Sequence, residues 1–336
     1  MKTFFITLII LLAVYLPTSA QLTAVSGVRA EMQNGRVAVH YILSTNLPAD
    51  LNLHYSADDG RNWLPCETVN GDLLEQTSGN KTIVWDCLAD NVVMGAFVFK
   101  VSVEEFIRMI FVQGGSFTMG CTAEQGGDCG NDEKRAQQVS VNDFYIGKYP
   151  VTQAQWKAVM GDYPPELYNT ACDDCPVERV NWDDVQEFIR KLNEYTGRSY
   201  RVPTEAEWEY AARGGKQSKG FKYSGSDNID EVAWYDGNYK NSKHGAHGTT
   251  HPVGSKEPNE LGIYDMSGNV WESCTEWHSA YSSAAQTNSV GAPNGLYRVL
   301  RGGSWSSTAS RCIVSYRNDF TNVSRYNYGF RVVRSF

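Results

Sequence analysis

Eight cysteines carry most of the reactive chemistry available to this 336-residue chain. All eight lie after residue 20, and an even number in an oxidising compartment favours disulfides over free thiols or zinc. Cys172 and Cys175 have the C-x2-C spacing of redox and zinc motifs, but their acidic neighbours oppose a thiolate. We therefore expect a structural disulfide here, with Cys121 or Cys129 as candidate partners.

The segment RGGSWSSTASRC, residues 301–312, ends in Cys312, for which the sequence allows three roles. Cys312 is a disulfide partner for Cys274, a buried thiol or a catalytic thiol, and we favour the disulfide. Cys66 and Cys87 have a spacing that allows a second disulfide within the N-terminal region.

Three histidines follow an H-x2-H-x3-H pattern at His244, His247 and His251. Imidazoles at this spacing are able to bind zinc or copper. The surrounding Gly/Thr-rich loop offers no rigid scaffold and no nearby cysteine. We therefore predict a surface loop instead of a metal site.

The first twenty residues have the composition of a secretory signal peptide. They contain one early lysine, an apolar run over residues 4–16 and a small-residue ending, Thr18-Ser19-Ala20. No other apolar run approaches the roughly 20 residues of a membrane helix. The net charge of −8 is spread along the chain without basic blocks, which disfavours nucleic acid as a partner. We expect export to the periplasm, cell surface or medium, without a membrane span.

Residues 21–105 carry strand signals only. Val37, Val39, Tyr41 and Leu43 alternate with polar residues, and the FVFKVSVE segment ends the region with a second alternation. This pattern predicts a small all-β sandwich of the immunoglobulin or fibronectin type, serving as a spacer or docking module.

Three short helices are predicted in residues 106–336. Capping boxes at Thr152/Gln155 and Thr204/Glu207 begin two of them. The third contains apolar residues at i, i+3, i+4 and i+7 from Val185 to Leu192. After Gly214 we expect loops and short strands, so the region is α+β.

Six motifs in order give the second region a family resemblance. They are GGSFTMG, VTQAQW, RVPTEAEWEYAARGG, NELGIYDMSGNVWE, RVLRGGSW and YGFRV. Over about residues 107–333 the chain resembles the formylglycine-generating enzymes, or sulfatase-modifying factors. The resemblance implies a C-type-lectin-like α+β fold stabilised by calcium.

The resemblance also implies a calcium site in the DMSGNVWE motif. Its ligands would be the side chains of Asp265 and Glu272 with the carbonyls of Gly268 and Val270. The chemistry agrees, since calcium prefers carboxylate and carbonyl oxygens. The alternative is that both acids cap turns and pair with arginines such as Arg301. The family's other calcium site is not assigned, because the sequence of residues 238–252 departs from the pattern.

Family members that make formylglycine oxidise a cysteine of a sulfatase, and the resemblance implies copper(I) between two thiolates. The corresponding positions here are Ser307 and Cys312. Copper(I) favours two sulfur ligands, and serine cannot replace one of them. We therefore do not expect copper, although Cys312 stays the candidate catalytic residue if the oxidase function is retained.

The C-terminal segment, residues 306–328, is dominated by Ser, Thr, Asn, Asp, Tyr and Arg. Such side chains suit an adaptable contact surface. The segment and its flanks resemble the variable tails of retroelement-diversified receptors with this lectin-like fold. The predicted contacts are Trp305, Ser306, Ser307, Tyr316, Asp319, Tyr326 and Tyr328.

These observations favour an exported binder of an unidentified protein or glycan over an oxidase. The alternative function is conversion of a sulfatase cysteine to formylglycine. An ordinary polar loop remains the simplest alternative for the C-terminal segment.

Overall fold

The computed structural model describes most of the chain. The described residues are 24–33, 36–45, 49, 51–74, 76–92, 97–103, 106–127, 129–131, 133–164, 167, 172–238, 249–281, 286–288, 291–292, 294–321 and 327–335. The predicted signal peptide, His244, His247 and Tyr326 lie outside them. Among the described residues, no helix combines the length and apolar character needed to cross a membrane. The chain divides into two compact units, with the main boundary after Phe106.

The N-terminal unit is built from seven strands. They are β1 (Ala24–Gln33), β2 (Arg36–Ser44), β3 (Leu51–Ser56), β4 (Leu64–Pro65), β5 (Val69–Gly71), β6 (Gly79–Trp85) and β7 (Val98–Val103). One sheet has the order β1-β2-β6-β5 and the other β4-β3-β7, with all neighbours antiparallel. The strand predictions for this region are confirmed.

The core of this unit follows from the alternation in β2. Its residues Val37, Val39, Tyr41 and Leu43 are buried together with residues of β3 and β6. The Trp85 ring of β6 stacks on Tyr55 of β3 with centroids 4.7 Å apart, which joins the two sheets.

The predicted Cys66–Cys87 disulfide is absent from this core. Both cysteines are buried as thiols among the apolar side chains. Burial raises the pKa of Cys66 to about 12, so this thiol stays protonated and unreactive. The two residues therefore contribute as small apolar side chains.

The second unit contains eleven short strands. They are β8 (Met109–Val112), β9 (Gly115–Met119), β10 (Gln137–Val141), β11 (Phe144–Gly147), β12 (Tyr200–Arg201), β13 (Trp271–Trp277), β14 (Gln286–Thr287), β15 (Arg298–Arg301), β16 (Arg317–Phe320), β17 (Tyr328–Gly329) and β18 (Val333–Ser335). They form three sheets, ordered β14-β10-β9, β12-β18-β11-β8 and β16-β15-β13-β17. In the third sheet β17 runs parallel to β13, while β15 is antiparallel to both of its neighbours.

Four α-helices accompany these sheets. They are α1 (Gln153–Met160), α2 (Trp182–Thr196), α3 (Glu205–Ala212) and α4 (Ile229–Val232). Thr152 and Thr204 cap α1 and α3 through the predicted capping boxes. In α2 the buried positions are the predicted Val185, Phe188, Ile189 and Leu192. The single-turn helix α4 was not expected, because four residues cannot display a helical period.

Two local disulfides are present in this unit. Cys121 bonds to Cys129, and Cys172 bonds to Cys175. The expectation of structural disulfides is confirmed, but the expected bond between the two loops is wrong. In each case the nearest cysteine in sequence is the partner.

Candidate functional site

The GGS turn lies where β15 ends and is shaped by its two glycines. Gly302 and Gly303 have φ values of 92° and 77°, a region that side chains rarely adopt. A Cβ on Gly302 would lie 3.1 Å from the Trp208 ring, and one on Gly303 would lie 2.6 Å from Cys312 Sγ. The second glycine therefore lets the backbone pack directly against the Cys312 thiol.

Ser307 is the residue that the family resemblance assigns to the first thiolate position. Its side chain is buried, and its hydroxyl accepts a hydrogen bond from Ser304 N at 3.0 Å. Ser304 Oγ lies a further 3.1 Å from the same hydroxyl and accepts a bond from Asn327 Nδ2. Ser307 is thus part of a hydrogen-bonded turn, which also shows why it is a poor contact for a ligand.

Cys312 is fully buried in a small apolar cluster with Tyr223, Val232 and Ile313. Burial, assisted by the charge of Asp236, raises the pKa of the Cys312 thiol to about 12. A thiol in this environment is protonated and a poor nucleophile. The geometry supports the buried-thiol role.

The predicted Cys274–Cys312 disulfide is wrong. Cys274 lies on β13 inside the main core of the unit, whereas Cys312 belongs to the separate cluster beside α4. Both remain buried thiols. The amino-acid sequence contains no measure of this separation, because the two cysteines lie on different segments of the chain.

The donor set at this turn does not fit copper(I). The metal prefers two thiolates, and the available atoms are one hydroxyl, already hydrogen-bonded, and one buried thiol.

The predicted calcium residues lie around a tight turn that leads into β13. Asp265 and Asn269 both have left-handed backbones, with φ values of 57° and 65°. Gly268 between them packs so closely that a Cβ would lie 2.3 Å from Trp234 O. The motif therefore forms a tight turn with a fixed backbone. The predicted calcium site needs such a turn, because two of its ligands are backbone carbonyls.

The two predicted carboxylates have different surroundings. Asp265 is buried, accepting from Gly254 N at 2.8 Å and Asn269 Nδ2 at 3.2 Å. Glu272 is buried and accepts two bonds of 2.6 Å from Arg331 and one of 2.7 Å from Trp208 Nε1. The Asp265 carboxylate fits a hard cation, since the groups that donate to it are neutral, whereas Glu272 would have to share its charge with Arg331.

Arginine–glutamate pairs surround the turn and tie it to α3. Arg301 bonds to Glu209 and to the backbone oxygens of Val314, Ser315 and Tyr316. The arginine that pairs with Glu272 is therefore Arg331. Arg301 lies opposite Glu272 across the β13–β15 ladder but pairs with Glu209. These buried arginine–glutamate pairs hold the sheet, the turn and the helix in one arrangement.

His251 is placed differently from the sequence prediction of a surface loop. It is buried, and its ring stacks on Trp234 with centroids 3.9 Å apart. Its backbone N–H donates to Asn269 Oδ1 at 3.0 Å. It thus helps to support the DMSGNVWE turn.

The predicted contact residues of the C-terminal segment do not all reach the surface. Ser306 and Asp319 are exposed, and Trp305, Tyr316 and Tyr328 are half-buried. Ser307 is buried, so its predicted role as a contact is wrong. Tyr326 lies outside the described residues.

Four of these residues border one aromatic face of the third sheet. Tyr316 contacts the Trp271 ring with centroids 5.9 Å apart, and Tyr328 contacts Phe320 at 5.4 Å. Asn327, next to Tyr328, donates to Ser306 Oγ at 2.7 Å, and Trp305 follows the same turn. We call Trp305, Ser306, Tyr316 and Tyr328 the aromatic edge.

Sequence reasoning missed the residue that organises this edge. Asn327 connects the Ser304 and Ser306 hydroxyls, and its backbone oxygen accepts from Trp271 N at 3.0 Å. The only available signal was its place just before the YGFRV motif.

Comparison with known proteins agrees with the motifs. A family model described as the sulfatase-modifying factor enzyme 1-like domain matches residues 96–336. The chain belongs to this family. Its fold is the mixed α+β, C-type-lectin-like fold that the six motifs implied.

Individual relatives differ widely in their described roles. Chaperone protein LppX of Paenibacillus barcinonensis is 39% identical over 244 residues, covering 59% of this chain and 82% of that protein. The formylglycine-generating enzyme of Streptomyces coelicolor is 35% identical over 169 residues, covering 46% and 51%. Serine/threonine-protein kinase Pkn1 of Chlamydia trachomatis is 32% identical, covering 78% and 44%. The chain thus spans about half or less of the enzyme and the kinase.

Solved structures give a consistent fold. Treponema denticola variable protein 1 superposes with a TM-score of 0.59 at 28% identity, covering 68% of this chain and 95% of that protein. PvdO from Pseudomonas aeruginosa also superposes with a TM-score of 0.59 at 28% identity, covering 68% of this chain and 94% of that protein.

Proposed function

We propose that this protein is an exported, lectin-like binding member of the sulfatase-modifying factor family without formylglycine-generating activity. The observation that carries the proposal is the buried, hydrogen-bonded Ser307 at the position of the first thiolate. Cys312, which would be the second thiolate, has a pKa raised by burial to about 12. Neither group supplies a nucleophile or a soft metal ligand at neutral pH.

The aromatic edge is the proposed contact surface for a protein or glycan. Tyrosine and tryptophan supply rigid contact area, and serine supplies adaptable hydrogen bonds. The similarity to Treponema denticola variable protein 1 and to chaperone protein LppX supports a binding role. Asp319 is exposed on β16 and would contribute only to a wider surface.

Export and calcium belong to the same proposal. The signal-like residues 1–20 and the two disulfides support an oxidising compartment. Calcium would be held by Asp265 with the carbonyls of Gly268 and Val270, with Glu272 as a shared ligand. Its contribution would be to stabilise the turn before β13, which also carries the residues beneath the aromatic edge.

Two assays test the proposal. Incubating the full chain with copper(I), oxygen and a peptide carrying C-x-P-x-R should give no aldehyde by mass spectrometry. Binding to a glycan array and to immobilised cell-surface proteins should be lost in Tyr316→Ser and Tyr328→Ser. Phe111→Ser serves as the control, because Phe111 is an exposed aromatic residue on a different sheet. Aldehyde formation by the wild type, or binding that both tyrosine variants retain, would contradict the proposal.

A further inference from the structure

A cavity of about 200 Å³ lies in the second unit, away from the GGS turn. The end of β13, the start of α3, strand β10 and the segment after β13 form its walls. The residues that matter to its chemistry are Glu276, Gln137, Glu205, Arg317, Tyr281 and Trp277. Of these six residues, only Glu205 belongs to a motif of the sequence analysis, and none was predicted as a site residue.

Glu276 lines this cavity, and one of its carboxylate oxygens has no hydrogen-bonding partner among the described residues. Its side chain is 4% exposed. Oε2 accepts from Glu205 N at 2.7 Å, whereas Oε1 has no hydrogen bond within the described part of the chain. A buried oxygen in this state costs roughly 1–3 kcal/mol unless something binds to it.

Gln137 lines the same cavity with a second unused acceptor. It is 8% exposed, and its Oε1 has no partner among the described residues. Its Nε2 contacts only the sulfur of Met119, at 3.8 Å. Sulfur is a weak acceptor, so the amide is held in place loosely by this contact. Both unused atoms are acceptors and therefore match a ligand that donates hydrogen bonds.

The other charged groups of the cavity are already paired. Arg317 donates to both oxygens of Glu205, at 2.6 and 2.9 Å, and to Ser279 O at 2.9 Å. Tyr281 donates to Glu205 at 3.3 Å. The Glu205–Arg317 pair therefore neutralises itself, and Glu276 remains the carboxyl group without a cationic hydrogen-bonding partner.

Arg298 does not fill this role. Its guanidinium lies between the rings of Trp182 and Trp277, 4.0 and 3.8 Å from their centroids. It donates to Thr275 O and influences Glu276 through space only. Among the described residues, no cation is hydrogen-bonded to Glu276, so a bound ligand would have to supply it.

We infer that this cavity binds a small primary ammonium compound, whose N–H groups donate to Glu276 Oε1 and Gln137 Oε1. The volume corresponds to about six waters at roughly 30 Å³ each, below the roughly 300–1,000 Å³ of pockets for larger ligands. A chain of a few carbon atoms therefore fits, packed against Met119, Ala206 and Ala292. A calcium ion does not, because it takes six to eight oxygens and one carboxylate is free here.

The protonation of Glu276 makes the inference measurable. Burial, and next the charge of Glu205, raise the pKa of Glu276 to about 8. Glu207 acts in the same direction, while Arg201 and Arg298 are the facing cations. An ammonium ligand thus has to displace a proton at neutral pH. Its affinity should rise up to about tenfold per pH unit between pH 6 and 8 and level off above that range.

The experiment is calorimetric titration of the full chain with alkylammonium chlorides from methyl to hexyl. The neutral control is n-butanol and the anionic control is sodium butyrate. At pH 8 we expect saturable binding of an alkylammonium of about four carbons, and no binding of either control. Glu276→Gln should weaken it at least tenfold and Gln137→Met several-fold, while Glu257→Gln, an exposed acid of the same unit, should leave it unchanged.

Three results would overturn the inference. They are the absence of saturable binding for every alkylammonium, equal binding of butanol, and full affinity in Glu276→Gln. Circular dichroism establishes that each variant is folded. If Glu276→Gln does not fold, the decision passes to Gln137→Met and to the rise in wild-type affinity from pH 6 to pH 8. These results are independent of the aromatic edge, because the cavity and the edge share no residue.

Discussion

Two regions of the second unit contrast in how their buried polar groups are used. At the GGS turn, Ser307 is hydrogen-bonded and the Cys312 thiol packs against Gly303 in an apolar cluster. In the β13 cavity, the lining residues Glu276 and Gln137 each keep a buried acceptor without a hydrogen-bonding partner among the described residues. The family's chemistry is expected at the first region, yet the second retains the features of a ligand site.

The contrast shows that position in a family motif and capacity for chemistry are separate properties. A catalytic or binding group needs an unused donor or acceptor, a suitable protonation state and space for a ligand. The turn has the glycine backbone of its motif but lacks these three features. The cavity meets them, although Glu276 and Gln137, which carry its two unused acceptors, lie outside the six motifs.

The largest effect should come from removing the arginine partner of a buried carboxylate, which would leave that carboxylate without a cation, as Glu276 is. Arg331→Leu leaves Glu272 buried without its cation and should lower the free energy of unfolding by about 3–5 kcal/mol. Urea unfolding at pH 7 measures this change. Arg190→Leu, which removes an exposed pair on α2, should cost less than about 1 kcal/mol. Equal losses in the two variants would show that a buried acid without its cation costs no more than an exposed one, which would contradict the account.

The next effect concerns the pH dependence of stability. Because the pKa of folded Glu276 is raised to about 8, the unfolded state loses this proton first as the pH increases. The wild type should therefore lose free energy of unfolding from about pH 4.5 to pH 8, and no further from this group above pH 8. Relative to Glu276→Gln, the loss should be on the order of 3 kcal/mol. Parallel stability curves for the two proteins would show that Glu276 is not a buried, unpaired acid.

Calcium should have a somewhat smaller effect, confined to the turn before β13. At a calcium concentration about 100 times the dissociation constant, the free energy of unfolding should rise by about 2.7 kcal/mol. Asp265→Asn should reduce this increment strongly, and Glu276→Gln should retain it. Thermal unfolding with calcium and with a chelator measures both. An increment that is absent from the wild type would remove the calcium proposal and leave the cavity unaffected.

Local sequence signals predicted the helices and many of the strands. The capping boxes at Thr152 and Thr204 depend on residues three positions apart, and both caps form as expected. The alternation in β2 likewise needs only one face to be buried. Short-range rules succeeded because the interactions that decide these elements lie within a few residues.

Long-range pairing was not predictable in the same way. Cys172 bonds to Cys175, three residues away, whereas Cys274 and Cys312 are buried in different clusters. The sequence does not contain the distance between clusters. The partner of Glu272 was missed for the same reason, since Arg331 is 59 residues away.

Glu276 was missed because burial, not residue type, makes it unusual. It lies on β13 on the same alternating face as Glu272 and Cys274, and all three are buried. A strand that places two acids and a cysteine on one face, between tryptophans, was the available signal. The sequence does not reveal that this face of β13 is buried, because the acids of α3 and the arginines paired with them come from other parts of the chain.

The most direct test of the account is a copper(I) competition titration of three proteins: wild type, Cys312→Ser and Ser307→Cys. Because Ser307 is hydrogen-bonded and the Cys312 thiol is buried, wild type and Cys312→Ser should bind copper(I) equally weakly. Ser307→Cys, which places two sulfurs with four residues between them, should gain affinity by at least a factor of about 10. Tight, one-to-one binding by the wild type that Cys312→Ser abolishes would contradict the account and return the GGS turn to oxidase chemistry.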